Sequence, residues 1–303
     1  MNANQTANPG HRDEARLSST HSSLARHMEA PAAPRARNPS RRILWIHIGT
    51  HKTGTSSIQV AAARERDLLR RHGLYVPKVG MTTEHSGHHN IAWDLRGDPR
   101  FRPVRGGLAE LGAELTASGE RRALISSEDL EYLVAYPERI AKLEGFLHSE
   151  GWEPAYIVYF RPQADYTASL FEELGKHGLT IDFARFATEI LVRGQIVTKE
   201  DWLFSFDYVR FLERWRAATT GMIQTRVYER GRPTAHLIRD FLLLLGVDAD
   251  TATLVAERSP KLNVGAPRRP GLGERLAAVL LEARFARSNA CLRRSWGVKL
   301  SSR

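Results

Sequence analysis

Short apolar runs alternate with longer amphipathic segments along the chain from residue 43 onward. The runs are rich in β-branched or aromatic side chains, as buried strands are. They lie at 43–48, 122–126 and 155–160, and an alternating pattern predicts a further strand at 222–228. Strands that alternate with helices predict an α/β fold, in which a central parallel sheet is flanked by helices in a three-layer sandwich.

The segments between these runs have the periodicity and the end signals of helices. Several stop just before a glycine, the residue that most often closes a helix. The predicted helices are 55–71, a short one from Glu128, 137–149, 164–176, 207–218 and 234–245. Because ligands of such sheets bind where the strands end, chemistry is expected in the residues that follow each strand.

The two ends of the chain lack this alternation. Residues 1–40 are rich in Asn, Ala, Ser, Pro and Arg without apolar periodicity, which predicts a disordered leader. The folded domain is therefore predicted at 41–257. Residues 258–303 are rich in arginine and are predicted to form a basic C-terminal tail that contains one helix near 272–286.

The formal net charge of +10 on the 303 residues is unevenly distributed. Residues 1–42 carry 7 Lys/Arg and 3 Asp/Glu, and residues 258–303 carry 11 and 2. Residues 43–257 carry 26 and 29, so the folded domain is slightly acidic. The basic excess lies in the two ends, and we therefore expect no nucleic-acid partner.

Membrane and disulfide signals are both lacking in the sequence. The longest apolar stretch, 241–247, is far shorter than the roughly 20 residues that a membrane span needs, and the N-terminus lacks the apolar region of a signal peptide. The single cysteine, Cys291, excludes an internal disulfide framework and a cysteine-rich metal site. These features predict a cytoplasmic protein without a transmembrane segment.

The segment Gly-Thr-His-Lys-Thr-Gly-Thr-Ser-Ser, residues 49–57, joins the first strand to the first helix. Small residues let successive backbone N–H groups converge on an anion, and the helix N-terminus adds partial positive charge. Further donors come from the hydroxyls of Thr53, Thr55, Ser56 and Ser57. This segment is therefore predicted to bind a phosphate-type group.

The same segment nearly matches the nucleotide-kinase P-loop, G-x-x-x-x-G-K-[ST]. Gly49, Gly54 and Ser56 fit, but Thr55 stands where the kinase lysine belongs and the lysine is at Lys52. The displaced lysine speaks against a P-loop kinase or NTPase, which stays open as an alternative.

The third strand ends at Arg161, and Ser169 follows eight residues later, about two turns into the next helix. A guanidinium at a strand end can bind a phosphate with paired N–H groups. The serine can point back to the same place, so the pair is a second candidate for binding phosphate.

The two elements together resemble the PAPS-dependent sulfotransferases, whose donor is 3′-phosphoadenosine 5′-phosphosulfate (PAPS). Residues 52–57 resemble the family's 5′-phosphosulfate loop, and Arg161 with Ser169 resembles its 3′-phosphate signature. Residues 159–178 resemble a bacterial branch, and the likeness covers roughly 43–250. It implies a P-loop-like fold.

The resemblance also implies an activity: in-line transfer of a sulfuryl group from PAPS to a hydroxyl or amine, with 3′,5′-ADP as leaving group and no required metal. Lys52 would stabilise the leaving phosphate, and His51 would line the cofactor site. The implied cofactor-binding residues are His51, Lys52, Thr53, Gly54, Thr55, Ser56, Ser57, Arg161 and Ser169.

The acceptor's proton needs a general base, and two places in the sequence offer one. Glu128 follows the second strand, and His88 and His89 lie in a histidine-rich loop that also contains His85. The resemblance supports both, because sulfotransferases with a Glu base and with a His base exist. Three histidines without cysteine or carboxylate ligand spacing do not favour a metal site.

The acceptor is expected to contact two loops, 77–106 and 192–206. Their aromatic residues either stack on a sugar or hydrophobic ring or anchor the loops by packing; they are Trp93, Trp202, Phe204 and Phe206. A saccharide, a lipid and a small molecule all remain open as acceptors. A non-catalytic protein of the same fold that binds an anionic ligand remains a further alternative.

Overall fold

The computed structural model of the chain describes residues 41–83, 86–198, 201–260 and 270–300. The predicted leader, 1–40, lies outside the described residues, as does His85. No helix in these ranges is both long enough and apolar enough to cross a membrane.

A four-stranded parallel sheet forms the centre of the fold, with the strands in the order β2-β1-β3-β6. Its strands are β1 (Arg42–His47), β2 (Arg122–Ser126), β3 (Trp152–Phe160) and β6 (Met222–Val227). Two short strands, β4 (Gln195–Val197) and β5 (Leu203–Ser205), pair antiparallel in a separate ribbon. Because β1 lies between β2 and β3, the loop that follows β1 is flanked by the ends of two other strands.

Helices cover both faces of the sheet. They are α1 (Thr55–Arg64), α2 (Arg66–Arg71), α3 (His89–Arg96), α4 (Leu108–Ser118), α5 (Pro137–Ser149), α6 (Gln163–Lys176), α7 (Phe183–Arg193), α8 (Tyr208–Ala218), α9 (Thr234–Leu244), α10 (Ala249–Arg258) and α11 (Leu272–Trp296). Within the described ranges, two 3₁₀ helices, Pro103–Arg105 and Glu128–Ala135, complete the order.

The alternation of side chains along β1 separates the two layers of core. Leu44 and Ile46 pack with the large cluster under α3 to α8, whereas Trp45 packs with α1, α9 and α10 on the opposite face. Successive residues of a strand point to opposite faces, so one apolar strand supplies both layers. The predicted α/β three-layer fold is confirmed.

Several elements differ from the sequence-based expectation. The predicted helix 55–71 is two helices, because Glu65 adopts φ −100° and ψ 22° and interrupts the first. Helices α3, α4, α7 and α10 were not predicted from the sequence. The segment after β2 is a 3₁₀ helix, capped by the Ser127 hydroxyl.

The C-terminal segment contains a longer helix than the one expected near 272–286. Helix α11 extends to Trp296 and buries Leu281, Phe285 and Leu292 in the large core cluster. Its Asn289 side chain also exchanges two hydrogen bonds with Gln163 of α6. Residues that looked like a solvated basic tail therefore pack on the domain through one apolar stripe, while their arginines remain outside.

Candidate functional site

Residues 49–57, which we call the β1 loop, cross the carboxyl end of the sheet. Gly49 and Gly54 both have a left-handed backbone, with φ of 81° and 80°. A Cβ at Gly49 would lie 3.0 Å from the Glu128 Cα, and one at Gly54 would lie 2.5 Å from Leu237 Cδ2. The two glycines allow a curled loop in close contact with the neighbouring elements.

The curled loop presents a run of unpaired backbone donors. Among the described residues, no acceptor contacts the N–H groups of Lys52, Thr53, Gly54, Thr55 and Ser56. The loop holds its own shape through side chains: the Thr50 hydroxyl donates to the Tyr159 carbonyl at 3.0 Å, and the Thr53 hydroxyl to the Thr50 carbonyl at 2.5 Å. Free N–H groups at the start of a helix form an anion-binding site.

Lys52 is strained within this loop. Its φ of 63° is one of two positive values for non-glycine residues in the described ranges, and such a conformation costs roughly 1–2 kcal/mol. Two contacts hold it: the Lys52 carbonyl accepts from Arg161 Nη1 at 3.0 Å, and its ammonium lies 2.9 Å from Glu173 Oε2. Strain of this kind is concentrated at functional sites.

Arg161, at the end of β3, is a buried cation that forms no ion pair with the residues that the structure describes. Its exposed fraction is 7%, and its Nε has no hydrogen-bond partner among the described residues. The guanidinium stacks over the Tyr228 ring at 5.5 Å, and burial lowers its pKa, which nearby Asp165 partly offsets. A buried charge needs a counter-charge, so this side chain is suited to bind an anion beside the β1 loop.

Ser169 lies on the face of α6 that looks toward the β1 loop. It stands four residues before Glu173, which contacts Lys52, and four after Asp165, which contacts Arg230 at 3.5 Å. Residues four apart share one helix face, so Ser169 is in the same row as both. The serine is half-buried.

His51 links the β1 loop to the 3₁₀ helix after β2. Its backbone N–H and its Nδ1 contact Glu131 Oε2 at 3.2 and 3.0 Å, and its Nε2 lies 3.0 Å from the Tyr132 hydroxyl and 3.7 Å from Asp129. Burial lowers the pKa of His51, but the Asp129 and Glu131 carboxylates outweigh it and raise the pKa to about 10. His51 is therefore a cation whose charge is balanced inside the protein.

The end of β2 brings the two proposed bases together. Glu128 Oε2 accepts a hydrogen bond from Gln59 Nε2 at 2.8 Å, and the Glu128 backbone packs against Gly49. His89 pairs through Nδ1 with the Ser127 hydroxyl at 3.0 Å, which leaves Nε2 without a partner among the described residues. His89, at the start of α3, therefore contacts the residue before Glu128, and Glu128 borders the β1 loop at Gly49.

His88 has a structural role in this geometry. It is 2% exposed, its Nδ1 accepts from the Ser126 N–H at 3.1 Å, and its Nε2–H donates to the Pro77 carbonyl at 3.0 Å. Burial lowers its pKa to about 4. Both ring nitrogens are occupied and none is left for a substrate proton, so His88 does not fit the role of base that the sequence suggested.

Comparisons with known proteins agree with this geometry at the level of the fold. No family model matches the chain, and no curated protein does. A solved structure, the sulfotransferase from Alicyclobacillus acidocaldarius, aligns with a TM-score of 0.51 and 16% identity over 86% of this chain and 98% of its own. The chain has a sulfotransferase-like fold.

A second solved structure aligns much less well. It comes from the PezAT toxin–antitoxin system of Streptococcus pneumoniae and covers 91% of this chain and 95% of its own at 13% identity. Its TM-score is 0.32, too low to carry an argument.

The aromatic residues of the two loops that were expected to contact an acceptor fall into two groups. Phe204 and Phe206 are buried packing anchors, with exposed fractions of 1% and 0%. Trp93 and Trp202 are half-buried, and the Arg100 guanidinium lies over both rings, 4.8 and 5.0 Å from their centroids. The Trp93 ring also stacks on His89 at 6.1 Å, so it is part of the wall beside the candidate base.

Sequence reasoning missed three carboxylates of the site. Glu131 and Asp129 hold His51, and Glu173 holds Lys52. Glu173 stands four residues after Ser169, and this helical spacing was a signal in the sequence that the two share one face of α6. The contacts of Asp129 and Glu131 depend instead on the conformation of the 3₁₀ helix after β2. No cluster of three metal-ligating side chains occurs in the ranges that the structure describes.

Proposed function

We propose that the chain is an enzyme that transfers a sulfuryl group from PAPS to a hydroxyl or amine of an acceptor. The observation that carries this proposal is the buried guanidinium of Arg161, which has no ion pair among the described residues and lies beside a loop of free backbone N–H groups. A donor with phosphates at its 3′ and 5′ positions supplies anions for both places. The sulfotransferase-like fold supports the same assignment.

The residues of the chain would divide the binding task. The N–H groups of the β1 loop and the hydroxyls around Thr55 would hold the 5′-phosphosulfate, while Arg161 and Ser169 would hold the 3′-phosphate. PAPS supplies a sulfuryl group activated by its bond to a phosphate. Lys52 would stabilise the negative charge that develops on the leaving phosphate, and its ammonium must exchange the Glu173 carboxylate for that phosphate.

The proton of the acceptor would pass to Glu128 or His89. The carboxylate of Glu128 is an acceptor in its ionised form, and the free Nε2 of His89 is an acceptor in the neutral tautomer with a proton on Nδ1. Either group would keep the attacking oxygen or nitrogen nucleophilic during in-line displacement.

The kinase alternative is less well supported by these contacts. A P-loop kinase uses the lysine after the second glycine to reach the β- and γ-phosphates, and Thr55 occupies that position. The lysine that is present, Lys52, instead lies in the middle of the loop beside α6.

Calorimetric titration with 3′,5′-ADP, 5′-AMP and ATP plus Mg²⁺ tests the proposal. We expect 3′,5′-ADP to bind without metal and more tightly than either other nucleotide. Arg161→Ala should weaken 3′,5′-ADP by roughly 10- to 100-fold, the value of hydrogen bonds between charged groups, and barely change 5′-AMP, which lacks the 3′-phosphate. Arg161→Lys keeps the positive charge but loses the paired guanidinium N–H groups. Its affinity for 3′,5′-ADP should therefore fall between those of the wild type and of Arg161→Ala.

Arg139→Ala, at a partly exposed position in an ion pair with Glu138, is the matched control and should bind like wild type. Tighter binding of ATP with Mg²⁺ than of 3′,5′-ADP would favour the kinase and contradict the proposal. Equal weakening of 3′,5′-ADP and 5′-AMP by Arg161→Ala would contradict the assignment of Arg161 to the 3′-phosphate.

A further inference from the structure

Two adjacent surface cavities flank the acceptor side of the site. One, of about 320 Å³, is lined by Thr82, Asn90, Trp93, Arg100, Arg102 and Arg105. The other, of about 410 Å³, is lined by Arg66, Lys78, Val79, Met81, Thr83, Val104 and Arg105. Since Arg105 lines both, we treat them as one feature and call it the basic groove.

The charge of the groove is largely uncompensated. Its lining contains five cations and, among the described residues, no carboxylate. Arg100 is paired with Asp98 through two contacts of 2.9 and 2.8 Å, but Arg102 donates only to the backbone carbonyls of Pro99 and Phe101. Arg105 has no side-chain partner in the described ranges.

The far wall of the groove has the same character. The Arg66 guanidinium contacts the sulfur of Met81, and its Nε is buried without a hydrogen-bond partner among the described residues. The nearby Glu114 accepts from the Tyr75 hydroxyl and from the backbone N–H groups of Lys78 and Val79, and it forms no ion pair with the Lys78 ammonium among the described residues. Four cations of the groove thus lack an acidic partner in the described ranges: Arg66, Lys78, Arg102 and Arg105.

A buried asparagine fixes these cations relative to the candidate base. Asn90, which is 0% exposed and follows His89, donates to the carbonyls of Arg102 and Gly106 at 2.9 and 2.8 Å and accepts from the Arg102 N–H at 2.8 Å. The Gly80 N–H donates to the Arg105 carbonyl at 2.7 Å. The groove is therefore preorganised, and its first cavity reaches His89 through Asn90 and Trp93.

We propose that the acceptor is an anionic saccharide, whose acidic groups bind the basic groove while one hydroxyl or amine is presented to His89 or Glu128. This inference rests on the proposed sulfuryl transfer. Arginine guanidinium groups bind carboxylates and sulfates through paired N–H groups, and the threonine hydroxyls in the lining suit the neutral groups of a sugar.

The lining favours a saccharide over other polyanions. A nucleic-acid base would need an open aromatic face, but the Trp93 ring is already stacked by His89 and Arg100. An acyl chain would need an apolar wall, but the cavity next to His89 is lined by arginine, threonine and asparagine apart from Trp93.

Binding of two uronic-acid oligosaccharides, from hyaluronan and polygalacturonate, tests the inference by calorimetry in the presence of 3′,5′-ADP. Each is compared with its carboxyl-reduced, uncharged form. We expect at least one acidic oligosaccharide to bind and its reduced form to bind at least about tenfold more weakly. The double variant Arg102→Glu/Arg105→Glu should lower that affinity by at least about tenfold and leave 3′,5′-ADP binding unchanged.

The matched control is Arg275→Glu/Arg287→Glu, which reverses two exposed arginines of α11 and changes the net charge equally. Equal loss of affinity in both double variants would overturn the inference, because the binding would then follow net charge alone. Failure of both oligosaccharides to bind a protein that does bind 3′,5′-ADP would also overturn it and would leave the proposed function standing.

Failure to bind 3′,5′-ADP itself would instead remove the proposed function. Single-stranded RNA and anionic vesicles complete the comparison. Tighter binding of either through Arg102 and Arg105 would overturn the assignment to a saccharide.

Discussion

The β1 loop and the end of β2 each hold a histidine with little exposure to solvent, and they hold the two in opposite charge states. His51 lies between the carboxylates of Asp129 and Glu131, which raise its pKa to about 10. His88 lies between a backbone N–H and a backbone carbonyl, and burial lowers its pKa to about 4.

The same contrast extends to the groups that surround each histidine. Beside the β1 loop, free backbone N–H groups and Arg161 provide a site for anions, while the charge of His51 is used internally. Beside β2, His88 is a neutral support, so that proton acceptors remain available on Glu128 and His89. On the proposed function, the first end would hold a charged donor and the second would accept a proton.

The largest expected effect comes from removing the base at the β2 end. Glu128→Gln and His89→Asn are nearly isosteric, and the asparagine can keep the contact with Ser127. We expect one of the two to lower kcat by roughly 10²–10⁴-fold, the usual value of general base catalysis, and to abolish the acidic limb of the pH–rate profile.

The other variant of the pair should lower kcat less than tenfold. Glu138→Gln, at an exposed position on α5, is the control. Small effects in both Glu128→Gln and His89→Asn would show that neither residue is the base and would remove the functional contrast between the two ends.

Lys52→Ala should produce the next largest effect, at the β1 loop. Loss of an electrostatic donor to the leaving group is expected to lower kcat by roughly 10²–10³-fold. It should also weaken the binding of 3′,5′-ADP, whose 5′-phosphate is that leaving group. Steady-state kinetics and calorimetry separate the two quantities.

Lys176→Ala is a close control for Lys52→Ala, because Lys176 contacts the same Glu173 oxygen at 2.9 Å but lies exposed outside the loop. Equal loss of activity in both variants would mean that the Glu173 ion pairs matter only for stability, and would contradict a catalytic role for Lys52.

The smallest effect is the dependence of stability on pH. The folded-state pKa of His51 is raised from 6.5 to about 10, so its contribution is complete below pH 6.5 and is lost as the pH rises toward 10. The pKa of His88 is lowered to about 4, so its contribution is complete above pH 6.5 and is lost as the pH falls toward 4.

Urea unfolding at pH 5, 6.5 and 9 checks both signs. The wild type should lose unfolding free energy between pH 6.5 and 9, and His51→Asn should reduce that loss by at least about 1 kcal/mol, the value of one pKa unit. His88→Asn should reduce the loss between pH 6.5 and 5 by a similar amount. A wild-type stability that is flat between pH 6.5 and 9 would contradict the cationic state of His51.

Much of the fold could be predicted from the sequence because its signals are local. The predicted strand 122–126 and helix 137–149 coincide with β2 and α5, whose apolar spacing and end residues lie within the element itself. The interruption at Glu65 could not be predicted, since residues 55–71 form one continuous helical pattern.

The candidate site was predictable only in part, for a related reason. The β1 loop is contiguous, so its residues could be read together. The hydrogen bond between His88 and the Ser126 N–H joins residues that are 38 positions apart. The ion pair between Lys52 and Glu173 joins residues that are 121 positions apart. The cations of the basic groove likewise come from separate segments, and no short-range pattern indicates that they meet.

The sequence by itself determined the anion-binding loop and the alternation that builds the sheet, because backbone dihedrals and side-chain periodicity are properties of neighbouring residues. Only the tertiary structure decided which charges are balanced. His51 and Arg161 are both cations at strand ends, yet carboxylates surround the first, while the second is buried without an ion pair in the described ranges. Burial and pairing depend on groups brought from distant parts of the chain, and they separate a structural charge from one that is suited to bind a ligand.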